Sequence, residues 1–241
     1  MIRRTLLLSV IGLANFGLPV QAANLDNIGS LSQSEFRLLS EDLGAALSYK
    51  PLIPAEPLGV TGFDLGLEAS ATKLANPMVF NAATSSGTVD TLYLPRLHVH
   101  KGLPLGLDIG ASYAAVPDSN VKMWGAELRY AILKGGTATP ALAVRVSYSA
   151  LEGVNQLKLA TTGVDLSISK GFALFTPYAG IGMVRVRSTP DASIPLLTEE
   201  EFDLTKLFVG ANLNLAVINI AVEGDKTGDA TSYGIKFGWR F

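Results

Sequence analysis

From residue 58 to the C-terminus the chain alternates between apolar and polar positions with a period of two, and the last ten residues do so strictly. Tyr233, Ile235, Phe237, Trp239 and Phe241 are large and apolar; Ser232, Gly234, Lys236, Gly238 and Arg240 between them are small or cationic. Side chains alternate across a β-strand, so such a run has one apolar and one polar face. Ten runs carry the pattern, at about 58–74, 91–102, 105–116, 121–133, 140–151, 157–170, 173–188, 203–216, 218–226 and 230–241. In the first, Phe63, Leu65, Leu67 and Ala69 oppose Asp64, Gly66, Glu68 and Ser70. In the fourth, Trp124, Ala126, Leu128 and Tyr130 oppose Gly125, Glu127 and Arg129. Two runs depart from it. The sixth changes parity between Leu159 and Val164, and the seventh near Gly180-Ile181-Gly182, where a bulge is expected.

A half-apolar strand suits a soluble sandwich, which buries the apolar face, or a membrane barrel, which turns it to lipid. Each run is at least about the 9–11 residues that a tilted membrane strand needs. Tyr113, Tyr130 and Tyr148 lie on the apolar parity, near strand ends, where a membrane–water interface would meet them. The connections also sort. "GLPL", "KGGTATP", "SKGF" and "AVIN" fall at one end, and the two longest, at about 75–90 and 188–203, both fall at the other. Outer-membrane barrels put short turns in the periplasm and long loops outside. The predicted fold is therefore all-β: an antiparallel transmembrane β-barrel of about ten strands, within roughly 8–12, with a short N-terminal helix.

Residues 1–22 read as a secretory signal peptide, with Arg3 and Arg4 before a short apolar stretch and Val20-Gln21-Ala22 as the cleavage pattern. Residues 23–56 form a separate N-terminal segment, ahead of a barrel at 57–241. Its first part, 23–31, is expected to be a flexible lead. A helix follows at 32–48, with Ser32 and Glu35 as a capping box and Phe36, Leu39, Leu43 and Leu47 as an apolar stripe. "YKPLIPAEPLG" then breaks regular structure. The helix either plugs the barrel mouth, its leucine face on apolar lumen or rim residues, or lies along the inner membrane surface or is disordered.

Composition narrows this further. Apolar residues make up 48% of the chain, yet they are spread by alternation rather than gathered into a membrane-spanning helix. There is no cysteine, so no disulfide supports the exported chain. Loss of Arg3 and Arg4 with the leader takes the net charge from −2 to −4, which argues against a nucleic-acid partner.

The ending, Tyr233, Ile235, Phe237, Trp239 and Phe241, resembles the C-terminal assembly signal of bacterial outer-membrane β-barrel proteins. "TPYAGIGM" at 176–183 is similar to a run common in small, porin-like barrels of this type. The resemblance implies a bacterial outer-membrane location in a Gram-negative type cell. It also implies outer-membrane lipid, the barrel assembly machinery and periplasmic chaperones as partners. The oligomeric state is left open.

The inward parity carries Asp64, Glu68, Arg96, Asp108, Glu127, Arg129, Arg145, Asp165, Glu223, Lys206, Lys236 and Arg240, together with His98 and His100. Two readings of these charges stand: a narrow polar passage tuned by charge, or a salt-bridged filling that stabilises the barrel. His98 and His100 share one face and, with Asp64 or Asp108, have the chemistry of metal ligands; no third ligand is fixed by spacing, so neither a metal nor a cofactor is assigned. The outer loops hold Asp118, Asp191 and Glu199 to Glu201 but no histidine, which disfavours a hydrolase at the outer rim and predicts no enzyme. The expected function is a narrow porin-like channel or a structural barrel. The alternatives are an adhesion barrel working through 75–90 and 188–203, and a hydrophobic-ligand transporter gated by the helix.

Overall fold

The computed structural model describes residues 24–241 other than Ser86, Pro117, Asp118 and Thr137. The leader at 1–22 and Asp118 lie outside the described residues. Ten strands form: β1 (Phe63–Lys73), β2 (Thr91–Gly102), β3 (Leu107–Ala115), β4 (Lys122–Lys134), β5 (Ala141–Glu152), β6 (Leu157–Ser169), β7 (Phe175–Pro190), β8 (Glu200–Leu215), β9 (Ile218–Thr227) and β10 (Ala230–Arg240). Each pairs antiparallel with its neighbours in sequence, and β1 pairs β10 to close the barrel. Closure leaves no sheet edge, the condition for crossing a bilayer with strands. The seam runs from Asp64 opposite Arg240 to Lys73 opposite Thr231. Phe63 and Phe241 finish it with a reciprocal backbone pair and stacked rings 5.8 Å apart.

The outside of the wall is apolar. Leu67, Leu97, Leu128, Val146, Val164, Ile181, Val209 and Ile235 are all exposed. Aromatics flank this band. Tyr113, Trp124, Tyr148 and Tyr233 lie toward the long-loop end; Tyr130, Trp239 and Phe241 lie toward the short-turn end. An apolar band between two aromatic girdles, around a polar interior, is the surface of an outer-membrane barrel, and it places the chain in the outer membrane.

Two expectations change. The pairings of β6 with β7 and of β7 with β8 run without a shift, so there is no bulge at Gly180-Ile181-Gly182. The register shift lies instead between Ala131 and Leu133, in the β4–β5 pair. Nor does the parity of β6 change. Leu157 and Leu159 face inward and Val164 and Leu166 face outward, each on its proper side. What changes is the interior, which is apolar toward the long-loop end.

Candidate functional site: the filled lumen

The interior is occupied by the chain itself. Helix α1 (Gln33–Leu47) begins at Ser32, whose side chain and that of Glu35 form the predicted capping box. The helix sits inside the long-loop half of the barrel and touches β5, β6, β7, β8 and β10. Phe36, Leu39, Leu43 and Leu47 are fully buried, in one cluster with inward residues such as Leu94, Met123, Leu159, Val186 and Phe202. Gly44 sits against β7 so closely that a Cβ there would stand 2.5 Å from a Val186 methyl. Ser40 reaches the Ser188 hydroxyl at 2.7 Å. Asp42 accepts the backbone N–H groups of Ala75 and Asn76, both at 2.8 Å, and so ties the helix to the loop after β1.

The lead before the helix is not loose. Leu25 bridges Thr84, Asn24 Oδ1 accepts the Asn120 N–H at 2.9 Å, and Ile28 N–H donates to Gln156 at 2.8 Å. Leu25 and Ile28 are buried beneath these loops. Short helix α2 (Pro77–Ala82), within the β1–β2 loop, covers the same end, and Phe80 joins the apolar cluster.

Below the helix the interior becomes charged, and the cations of the wall meet the carbonyls of the segment. A helix C-terminus gathers negative partial charge on its free carbonyls. α1 has no basic residue in its last turn; Arg96 donates to Ala46 O at 2.8 Å and Lys50 to Ala45 O at 3.3 Å. Lys206 donates to Tyr49 O at 2.7 Å. Arg129 donates to Pro54 O and pairs with Asp108, whose carboxylate accepts Leu58 N–H at 3.1 Å. Ala55 N–H reaches Ser169 at 3.1 Å. The segment then turns at Gly59, where φ is +78°, and enters β1. The first strand thus opens at Phe63 rather than at 58.

The ion pairs fall into several groups. Arg96 and His98 share Glu68, and Asp64 lies between Lys236 at 3.0 Å and Arg240 at 2.8 Å. Arg145 bridges Glu127 at 3.0 Å and Asp165 at 3.3 Å. His100 faces Glu127 at 3.4 Å and the Tyr49 hydroxyl at 3.4 Å, and Glu223 accepts from the Tyr178 hydroxyl at 3.0 Å. Every inward charge named from the sequence is therefore in the interior, and all but Arg240 are at most 5% exposed. The histidine–aspartate grouping weighed from the sequence is met only loosely: His100 Nδ1 lies 4.0 Å from Asp64, while His98 turns to Glu68 and His100 Nε2 to Glu127, and among the described residues no group of three or more such side chains is placed to hold a metal ion. Pattern reading missed Lys50 and Asp225, which pair at 2.8 Å. Asp225 continues the inward parity of Glu223 and was legible; Lys50 lies in the irregular "YKPLIP" stretch, where no period assigns a side.

No protein-family profile matches the chain. No curated protein matches it either. Solved structures that resemble it include the β domain of the Bordetella autotransporter BrkA (11% identity, 75% of this chain and 99% of that one, TM-score 0.42). Two others are OprG of Pseudomonas aeruginosa (15%, 78% and 99%, TM-score 0.36) and the N-terminal barrel domain of its OprF (12%, 74% and 97%, TM-score 0.35). At scores this low, the membrane barrel stands on the strand pairing and surface described above rather than on these neighbours.

Proposed function

We propose that this outer-membrane barrel is a sealed one at rest, a structural barrel whose N-terminal segment plugs its own lumen. The observation that carries this reading is the burial of both partners: segment 24–62 runs through the interior, and Arg96, Arg129 and Lys206 of the wall donate to its backbone carbonyls. Of the two readings of the lumen charges, a salt-bridged filling fits better than an open passage. Burying Phe36, Leu39, Leu43 and Leu47 holds the helix by about 6–12 kcal/mol, at ~1.5–3 kcal/mol each, so unaided opening is rare. The barrel assembly machinery and periplasmic chaperones remain its proposed partners in reaching the membrane. Among the described residues no histidine stands at the outer loops beside a nucleophile, so the reading stays with a non-enzymatic barrel.

Deleting residues 23–56 and recording single-channel current in planar bilayers tests the plug. The wall closes through β1 and β10 without the segment, so a folded, conducting barrel is expected from the deletion and a silent one from the intact chain. Equal current from the two overturns the plug.

A further inference from the structure

The path of the N-terminal segment decides more than whether the lumen is open. We propose that the barrel carries its own N-terminal end to the outer face of the membrane and displays it there among the long loops. The inference rests on the sealed-lumen reading for its path and adds the side of the membrane on which that path ends.

Segment 24–62 has two fixed ends. At one, Leu58 N–H donates to Asp108 and Lys101 donates to Gly62 O at 3.1 Å, beside the start of β1 and the short β2–β3 turn. At the other, Asn24 and Leu25 hold Asn120 in the β3–β4 loop, and Ile28 holds Gln156 in the β5–β6 loop. Asn27 N–H donates to Ala83 O at 3.0 Å in the β1–β2 loop, and Gln33 accepts Thr198 N–H at 2.8 Å in the β7–β8 loop. Four separate connections meet the segment, and all four belong to the long-loop end. Long loops lie outside the cell and short turns in the periplasm.

The chain before Ser32 has no route back. A return to the periplasm requires a second pass through the lumen, and the first pass already fills it: Tyr49, Lys50, Leu52 and Ile53 are as buried as the wall residues around them. Passing outside the wall would bring unpaired backbone into hydrocarbon, at several kcal/mol per group. So Asn24 lies outside, and any chain joined ahead of it lies outside too. A leader still anchored in the inner membrane cannot satisfy this geometry, so cleavage has to precede threading.

The absence of cysteine makes the test clean. Single-cysteine variants Asp26→Cys, Asn155→Cys and Thr139→Cys place a thiol at an exposed position in the lead, in the β5–β6 connection at the long-loop end and in the β4–β5 turn at the opposite end. Intact and permeabilised cells are treated with a polyethylene-glycol maleimide too large for porins, and each variant is first shown to fold by heat-modifiable migration. The expected result is full labelling of Asp26→Cys and Asn155→Cys on intact cells, with Thr139→Cys rising from background only on permeabilisation. If Asp26→Cys behaves like Thr139→Cys, the display is overturned. If Thr139→Cys labels on intact cells, the orientation, and the inference with it, is overturned. Conductance of the same variants separates the two proposals. A silent barrel with an inside thiol leaves the sealed lumen standing and removes the display; an open barrel with an outside thiol does the reverse.

Discussion

The apolar face of α1 gives the sharpest quantitative test. Leu39 and Leu43 lie one turn apart, fully buried against the inner wall. Truncating a buried leucine to alanine costs ~2–5 kcal/mol, because transfer energy is lost and a cavity is left. At ~3 kcal/mol per site, Leu39→Ala with Leu43→Ala weakens the plug by about 6 kcal/mol, which multiplies the unplugged population by ~10⁴. That loss consumes half or more of the roughly 6–12 kcal/mol retaining the helix. The wall is untouched, since its hydrogen bonds run strand to strand. Planar-bilayer recording should then show brief, frequent openings in the double variant, single variants in between, and near silence in the parent chain. Heat-modifiable migration reports that the wall remains folded. Openings no more frequent than in the parent, from a folded double variant, would refute the reasoning that apolar packing holds the segment in place.

Other outcomes follow from the same structure. Gly44→Ala sets helix propensity, worth about 0.5–1 kcal/mol in favour, against overpacking on Val186, ~1–3 kcal/mol against; the net expected is a looser plug and more openings. Lys50→Ala strands a buried Asp225 carboxylate and should cost about 3–5 kcal/mol, visible as a lower thermal midpoint in detergent, with Asp225→Asn in the same chain restoring part of it. Leu128→Arg, halfway along β4 on the outside, should lower stability in liposomes by ~2–4 kcal/mol on denaturant titration; no change would mean that this face does not meet hydrocarbon. Removing Phe241 should reduce the amount assembled in cells while leaving refolding in detergent nearly unaltered, since only the end of the β1–β10 seam is lost.

The wall of this protein was legible in its sequence because a strand's two faces are a local property. Tyr233 to Phe241 against Ser232 to Arg240 states which side of the strand is apolar whatever else surrounds it. The helix was legible for the same reason, from the Ser32–Glu35 box and one apolar stripe. Alternation says nothing, however, about what stands opposite an inward side chain. Leu157 and Leu159 looked like an error of parity and are the inner wall facing α1; Gly180 and Gly182 looked like a bulge and lie in a continuous register. The lead at 24–31, expected to be flexible, is held by Asn120, Gln156 and Thr84, partners distant in sequence. Only the tertiary structure decided that the segment runs the length of the lumen and which loops receive its end. Those contacts pair an irregular stretch with residues scattered over ten strands, and no short-range period records them.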